Sequence, residues 1–218
     1  MVGKVRVTKK SSTPVSPSAG QTPLRARILE AAFSAFMERG YAGTSTLEIA
    51  TRAHASKREL YAEFDSKQDM LIACISERAT RLKMPSDLPE LSDRQTLAKA
   101  LTAFGTRLLH EVSDPTVVAV FRLAIAEAAQ APEVGRAIND VAIEASRSAL
   151  REIMRRACSA GLIDGEPAEL SDHFAGLLWG NRMIGLLLGV AERPGAREIA
   201  CRAELATSAF LRAYPAPS

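Results

Sequence analysis

The sequence predicts an all-α fold: an N-terminal three-helix unit with a helix-turn-helix pattern, then a larger C-terminal helical domain, nine helices in all. Three observations predict it. Alanine supplies 37 of the 218 residues and aromatics only 5%, a composition that favours helices and leaves few side chains suited to strands. Apolar residues recur at helical spacing, in segments punctuated by Gly and Pro and too long for strands. Two S-x-x-E capping boxes, Ser45-Thr46-Leu47-Glu48 and Ser56-Lys57-Arg58-Glu59, start two short helices that only a tight turn separates.

Taken in order, residues 1–22 carry Lys4, Arg6, Lys9 and Lys10, no acidic residue and a Ser/Thr/Pro-rich stretch without apolar periodicity. A disordered basic arm is expected there. Pro23 opens the first helix, whose inward face is marked by Leu24, Ile28, Ala32, Phe33 and Phe36 and which Gly40 stops. Leu47, Ile49, Ala50 and Ala53 are expected to point inward from the second helix, and Leu60 and Phe64 from the third, so that the helix-turn-helix domain occupies residues 23–66. The pattern resumes at Ser66 through Met70, Leu71, Ile72, Ile75 and Ala79 to about Arg81, a helix able to connect two domains. Pro85 and Pro89 break the pattern within Lys83–Pro89, as an interdomain loop would. Five further helices are expected, over about 92–112, 115–131, 133–160, 168–190 and 195–213, which places the C-terminal domain at 67–213 and a tail at 214–218.

Charge is distributed unevenly. Residues 1–83 hold 14 Lys and Arg against 8 Asp and Glu, a balance of +6, whereas residues 84–218 hold 14 against 17, a balance of −3. A basic N-terminal third points to a polyanionic partner, with nucleic acid first among the candidates. On the third helix Lys57 and Tyr61 share a face, with Arg58 close by at the N-terminal end, while Leu60 and Phe64 pack inward. Two cations and a phenol thus point outward where a recognition helix would enter the major groove of double-stranded DNA.

Other chemistry lacks a carrier. The longest apolar run, Phe174 to Ala191, has Asn181 and Arg182 at its middle, and the N-terminal segment has no signal-peptide core, so no membrane contact and a cytoplasmic location are expected. Cys74, Cys158 and Cys201 are far apart and odd in number; His54, His110 and His173 are scattered, and Glu169 with His173 makes at most two ligands. No G-x-G-x-x-G, Walker or G-x-S-x-G sequence occurs. No cofactor, metal or enzymatic activity is expected.

The run Arg27–Phe33, then Gly40–Ser45, Ile49-Ala50 and Ser56–Lys67 resembles the DNA-binding domain of TetR-family repressors, and the likeness covers residues 24–72 almost without a gap. The resemblance implies phosphate contacts at Ser45, Tyr61 and Lys67 and positions at or near the bases for Lys57 and Arg58; Thr44 and Ser56 complete the expected DNA-binding set. His54 stands where the family's turn usually has Gly, a position at which a left-handed backbone is expected and His is better tolerated than a β-branched residue. Arg58 stands where many members have a small residue. Phe121–Glu127 and Phe174–Gly180 resemble a C-terminal class common in proteobacterial members. A ligand-binding and dimerisation domain is the implied role of residues 67–213, and a small-molecule effector the implied signal.

Within that domain the helix at 168–190 carries two small-residue pairs, Gly176/Gly180 and Gly185/Gly189, on opposite faces, one suited to its own domain and one to a second copy. Arg122 and Glu127 sit on a helix that is apolar nearly all round and are expected as buried polar groups, Arg122 pairing with an acidic side chain or binding an anionic effector. Phe104, Phe121 and Trp179 are the candidate apolar lining of an effector pocket, with ordinary core as the competing reading. The sequence reading is therefore a homodimeric DNA-binding regulator, a repressor released by a small molecule. A thiol sensor acting through one of the three cysteines is the alternative, and a helical enzyme stands behind both.

Overall fold

The computed structural model describes residues 22–79 and 90–217. The expected basic arm, Thr22 excepted, and the expected interdomain loop at Lys83–Pro89 lie outside them. Every regular element among the described residues is helical: α1 (Pro23–Gly43), α2 (Thr46–Arg52), α3 (Lys57–Glu63), α4 (Lys67–Ala79), α5 (Arg94–Val112), α6 (Pro115–Glu127), α7 (Pro132–Ile138), α8 (Glu144–Ser159), α9 (Pro167–Trp179), α10 (Arg182–Leu188) and α11 (Ala196–Ala213). A π-helical turn, Asn139–Ile143, joins α7 to α8 without a break, so the described residues form ten helical rods where nine were expected.

The extra rod has a physical cause. The expected helix at 168–190 ends at Gly180, whose backbone adopts φ 49°, ψ −135°, and restarts as α10 until Gly189 caps it in the left-handed region. Arg202 of α11 stabilises this break by donating to the carbonyls of Leu177 and Leu178. The opposed small-residue faces predicted for one continuous helix therefore do not exist. Gly180 and Gly189 are breakpoints, and Gly176 approaches nothing closely.

Two apolar cores hold the chain. The first gathers Ile28, Ala32 and Phe36 of α1, Ile49 of α2, Leu60 of α3 and Met70 of α4, and continues into Val120 and Leu123 of α6 and Val134 and Ile138 of α7. The second joins Leu97, Leu101 and Phe104 of α5 with Ile153 and Met154 of α8, Phe174 and Leu178 of α9, and Ile199, Ala203 and Phe210 of α11. Gly105 admits Leu178, whose Cδ1 would lie 3.0 Å from any Cβ at that position. Arg94 donates to the carbonyls of Leu162, Leu211 and Tyr214 and so ties the start of α5 to the end of α11. No helix among the described residues is long and apolar enough to cross a membrane.

Candidate nucleic-acid interface

The N-terminal head is assembled by local rules. Gly40 leaves the helical region at φ 76°, ψ 166°, and a hook follows it into the cap of α2. Ser45 accepts the Glu48 N–H as the N-cap of α2. In α3 both halves of the capping box are made: Ser56 Oγ accepts the Glu59 N–H at 3.1 Å and the Ser56 N–H donates to Glu59 Oε2 at 2.7 Å. The Ser56 backbone bond, then its hydroxyl, holds the Glu59 carboxyl below the usual carboxylate range, so the box stays ionised at neutral pH. His54 takes the left-handed conformation expected of the turn, φ 50°.

This framework leaves Ser45, Ser56, Lys57, Arg58 and Tyr61 on the surface while Leu60 and Phe64 are buried. Thr46 and Tyr61 share a hydrogen bond between hydroxyls at 3.2 Å, which orients the phenol across α2 and α3. Ser45 and Ser56 use lone pairs as caps, and each retains an O–H able to donate to a phosphate oxygen.

Two residues of the expected set are placed otherwise. Thr44 is buried, and its hydroxyl donates to the carbonyls of Ala35 and Gly40, so it closes α1 and does not face solvent. Lys67 is half-buried over the Tyr41 ring and donates to the carbonyls of Tyr41 at 2.9 Å and Thr44 at 3.1 Å. Two of its three ammonium protons thus hold the hook and one is left over.

The position of α3 depends on residues that periodicity did not single out. Arg25 of α1 donates to the Glu63 carbonyl at 2.8 Å, pairs with the Glu63 carboxylate and lies over the Phe64 ring, while Thr22 donates to Glu63 Oε1. Arg52 bridges Glu38 and Glu48, and Arg39 adds a second cation on Glu48, fastening α2 to α1. Leu47, expected inward, is 60% exposed: α2 buries Ile49, Ala50 and the following Ala53, and its second residue falls outside that face.

The four candidate effector residues do not converge. Phe104 is in the second core and Phe121 packs against the first. Arg122 is exposed and, instead of meeting an acidic side chain, donates to the carbonyls of Leu186 and Leu187 at the end of α10. Trp179 lines a cavity of about 30 Å³ with Leu109, Ser113, Leu186 and Ile199. Buried Ser113, whose hydroxyl has no hydrogen-bond partner among the described residues, belongs to that lining. Glu127 is buried as expected. Among the cysteines, Cys74 is buried against the Leu29 carbonyl, and burial together with Asp164 and Glu166 pushes the Cys158 thiol up, away from the thiolate a redox sensor needs.

Comparisons with known proteins agree with this arrangement. Residues 28–74 match the family model of bacterial regulatory proteins of the tetR family, and residues 99–216 match that of the AefR-like transcriptional repressor C-terminal domain. The HTH-type transcriptional regulator YvkB of Bacillus subtilis is 26% identical over 168 residues, covering 77% of this chain and 85% of that protein. A TetR-family transcriptional regulator from Mesorhizobium loti superposes with a TM-score of 0.71 at 27% identity, over 89% of this chain and 100% of that one. The flavonoid-responsive regulator FrrA does so with 0.77 at 27% identity, over 89% and 98%. The chain is a member of the TetR family of transcriptional regulators.

Proposed function

We propose that the protein is a cytoplasmic, homodimeric repressor that binds an operator through α3 and is released by a small molecule. The observation that carries the DNA assignment is the exposed cluster of Lys57, Arg58 and Tyr61 on a short helix fixed by its capping box, by Arg25 and by the buried Leu60. Lys57 and Arg58 reach base edges; Ser45, Ser56, Tyr61 and the remaining N–H of Lys67 meet phosphates. Arg58→Ala is expected to cost roughly 1–3 kcal/mol in operator binding and to relax preference at one base pair, the signature of a bidentate guanine contact. Fluorescence anisotropy on a set of single-base operator variants reads this. A uniform loss across the set reassigns Arg58 to phosphate, and no loss removes it from the interface.

The dimer reading is supported by apolar side chains that the fold leaves in water: Ile184 and Leu188 of α10, Val190 just after it, and Leu205 of α11 are each at least 60% exposed. The repressor reading follows the C-terminal family match, and the effector reading is supported by FrrA, which is flavonoid-responsive. The cavity of about 30 Å³ beside Trp179 is too small for such a molecule. Linkage requires operator and effector to weaken each other by the same factor, a coupling of about 1–3 kcal/mol. Titration calorimetry of an effector with and without operator is expected to give that difference; equal affinities show that the ligand is not the inducer.

A further inference from the structure

Gly40 does more than kink the end of α1. A Cβ on it would lie 2.6 Å from Glu127 Oε1, so the carboxyl group of α6 fills the space that any other side chain would need. Glu127 is 9% exposed, and its Oε1 accepts the Ala42 N–H at 3.3 Å. Burying a carboxylate for one long hydrogen bond is costly, and α6 otherwise turns apolar residues, Val120 and Leu123, toward the same core. Replacing a buried carboxyl group that has so little hydrogen bonding by an apolar side chain is often neutral or stabilising, so Glu127 at this place points to a task other than stability.

The task follows from what the hook joins. Residues 40–44 lead directly into the Ser45 cap of α2, and Lys67 and Thr44 grip their carbonyls. Among the described residues, Glu127 is the side chain from beyond residues 80–89 that hydrogen-bonds to this segment. Five residues earlier on α6, Arg122 grips the end of α10, the helix with the apolar outer face. We propose that Glu127 is a positioning residue for DNA binding: seated in the space Gly40 leaves open, it fixes the angle at which α6 carries the head and, through Arg122, ties that angle to α10. This inference rests on the proposed function and adds a residue to it.

Glu127→Met tests it, because Met keeps the volume and the burial but cannot accept the Ala42 N–H. The variant is expected to melt at or above the wild-type temperature, while amides of residues 40–46 exchange about threefold faster and operator affinity falls about threefold, the factor for one lost hydrogen bond at the weak end of the usual range. Glu127→Gln, whose amide oxygen still accepts, is expected to match wild type in both readouts. Gly40→Ala is expected to weaken operator binding more in the wild-type background than in Glu127→Ala, since the left-handed strain is common to both and the clash is not. Wild-type affinity in Glu127→Met, a loss that merely tracks lost stability, or equal costs of Gly40→Ala in the two backgrounds would overturn the assignment. A wild-type protein without any preferred DNA sequence overturns the proposed function instead, and hydrogen exchange in the hook then still tests the contact.

Discussion

Leu188→Glu is expected to separate the proposed dimer into monomers and to lower operator affinity by at least about a hundredfold, because two linked half-site contacts become one. Leu188 is 71% exposed, on a seven-residue helix that buries Leu186 alone. What secures α10 is polar and peripheral: Arg182 meets Glu198 at its start, Arg122 meets its last carbonyls, and Arg193 reaches Asp114 from the loop beyond. A charge on the outer face should leave those tethers intact and change only what covers the face. Exposed apolar surface costs about 25 cal/mol per Å² in water, so Ile184, Leu188 and Val190 together favour a covering partner. Sedimentation velocity of the wild type and the variant reads the mass directly, and a variant that remains dimeric would move the interface elsewhere.

Phe210→Ala is expected to destabilise the protein by about 3–5 kcal/mol, the usual cost of deleting a large aromatic side chain from a core. Phe210 is fully buried, packs edge-on against Phe174 at 5.5 Å and lies 4.8 Å from Tyr214. Those contacts join α11 to α9 in the second core, to which α5 adds Leu97, Leu101 and Phe104. Urea denaturation gives the value. A loss below about 1 kcal/mol, the range of ordinary surface substitutions and slightly beyond, would mean that α11 is not part of the structural core.

The head was legible in the sequence because its signals are local. A capping box is complete within four residues, Gly40 and His54 mark their own backbone conformations, and Leu60 with Phe64 defines the buried side of α3 one turn apart. Over the seven residues of α2, periodicity does not separate Leu47 from the buried face, and nothing local in the sequence marks the Thr44 hydroxyl as donating to the carbonyls of Ala35 and Gly40. The misread parts of the body depend on distant partners. Gly176, Gly180, Gly185 and Gly189 are spaced as a continuous helix would space them, and the break at Gly180 is held by Arg202, from the next long helix. The apolar neighbours of Arg122 in sequence suggest a buried charge, yet it lies at the surface and caps α10, some 64 residues onward. The fit between Gly40 and Glu127 joins residues with no shared local pattern.

Above all, α3 of this protein is expected to read a specific DNA sequence. A nuclease footprint on the DNA upstream of its own gene tests it most directly. A protected region of two symmetric half-sites is expected, lost when Lys57 and Arg58 are both replaced by Ala. Protection spread evenly over the fragment, or unchanged by that double replacement, would contradict it.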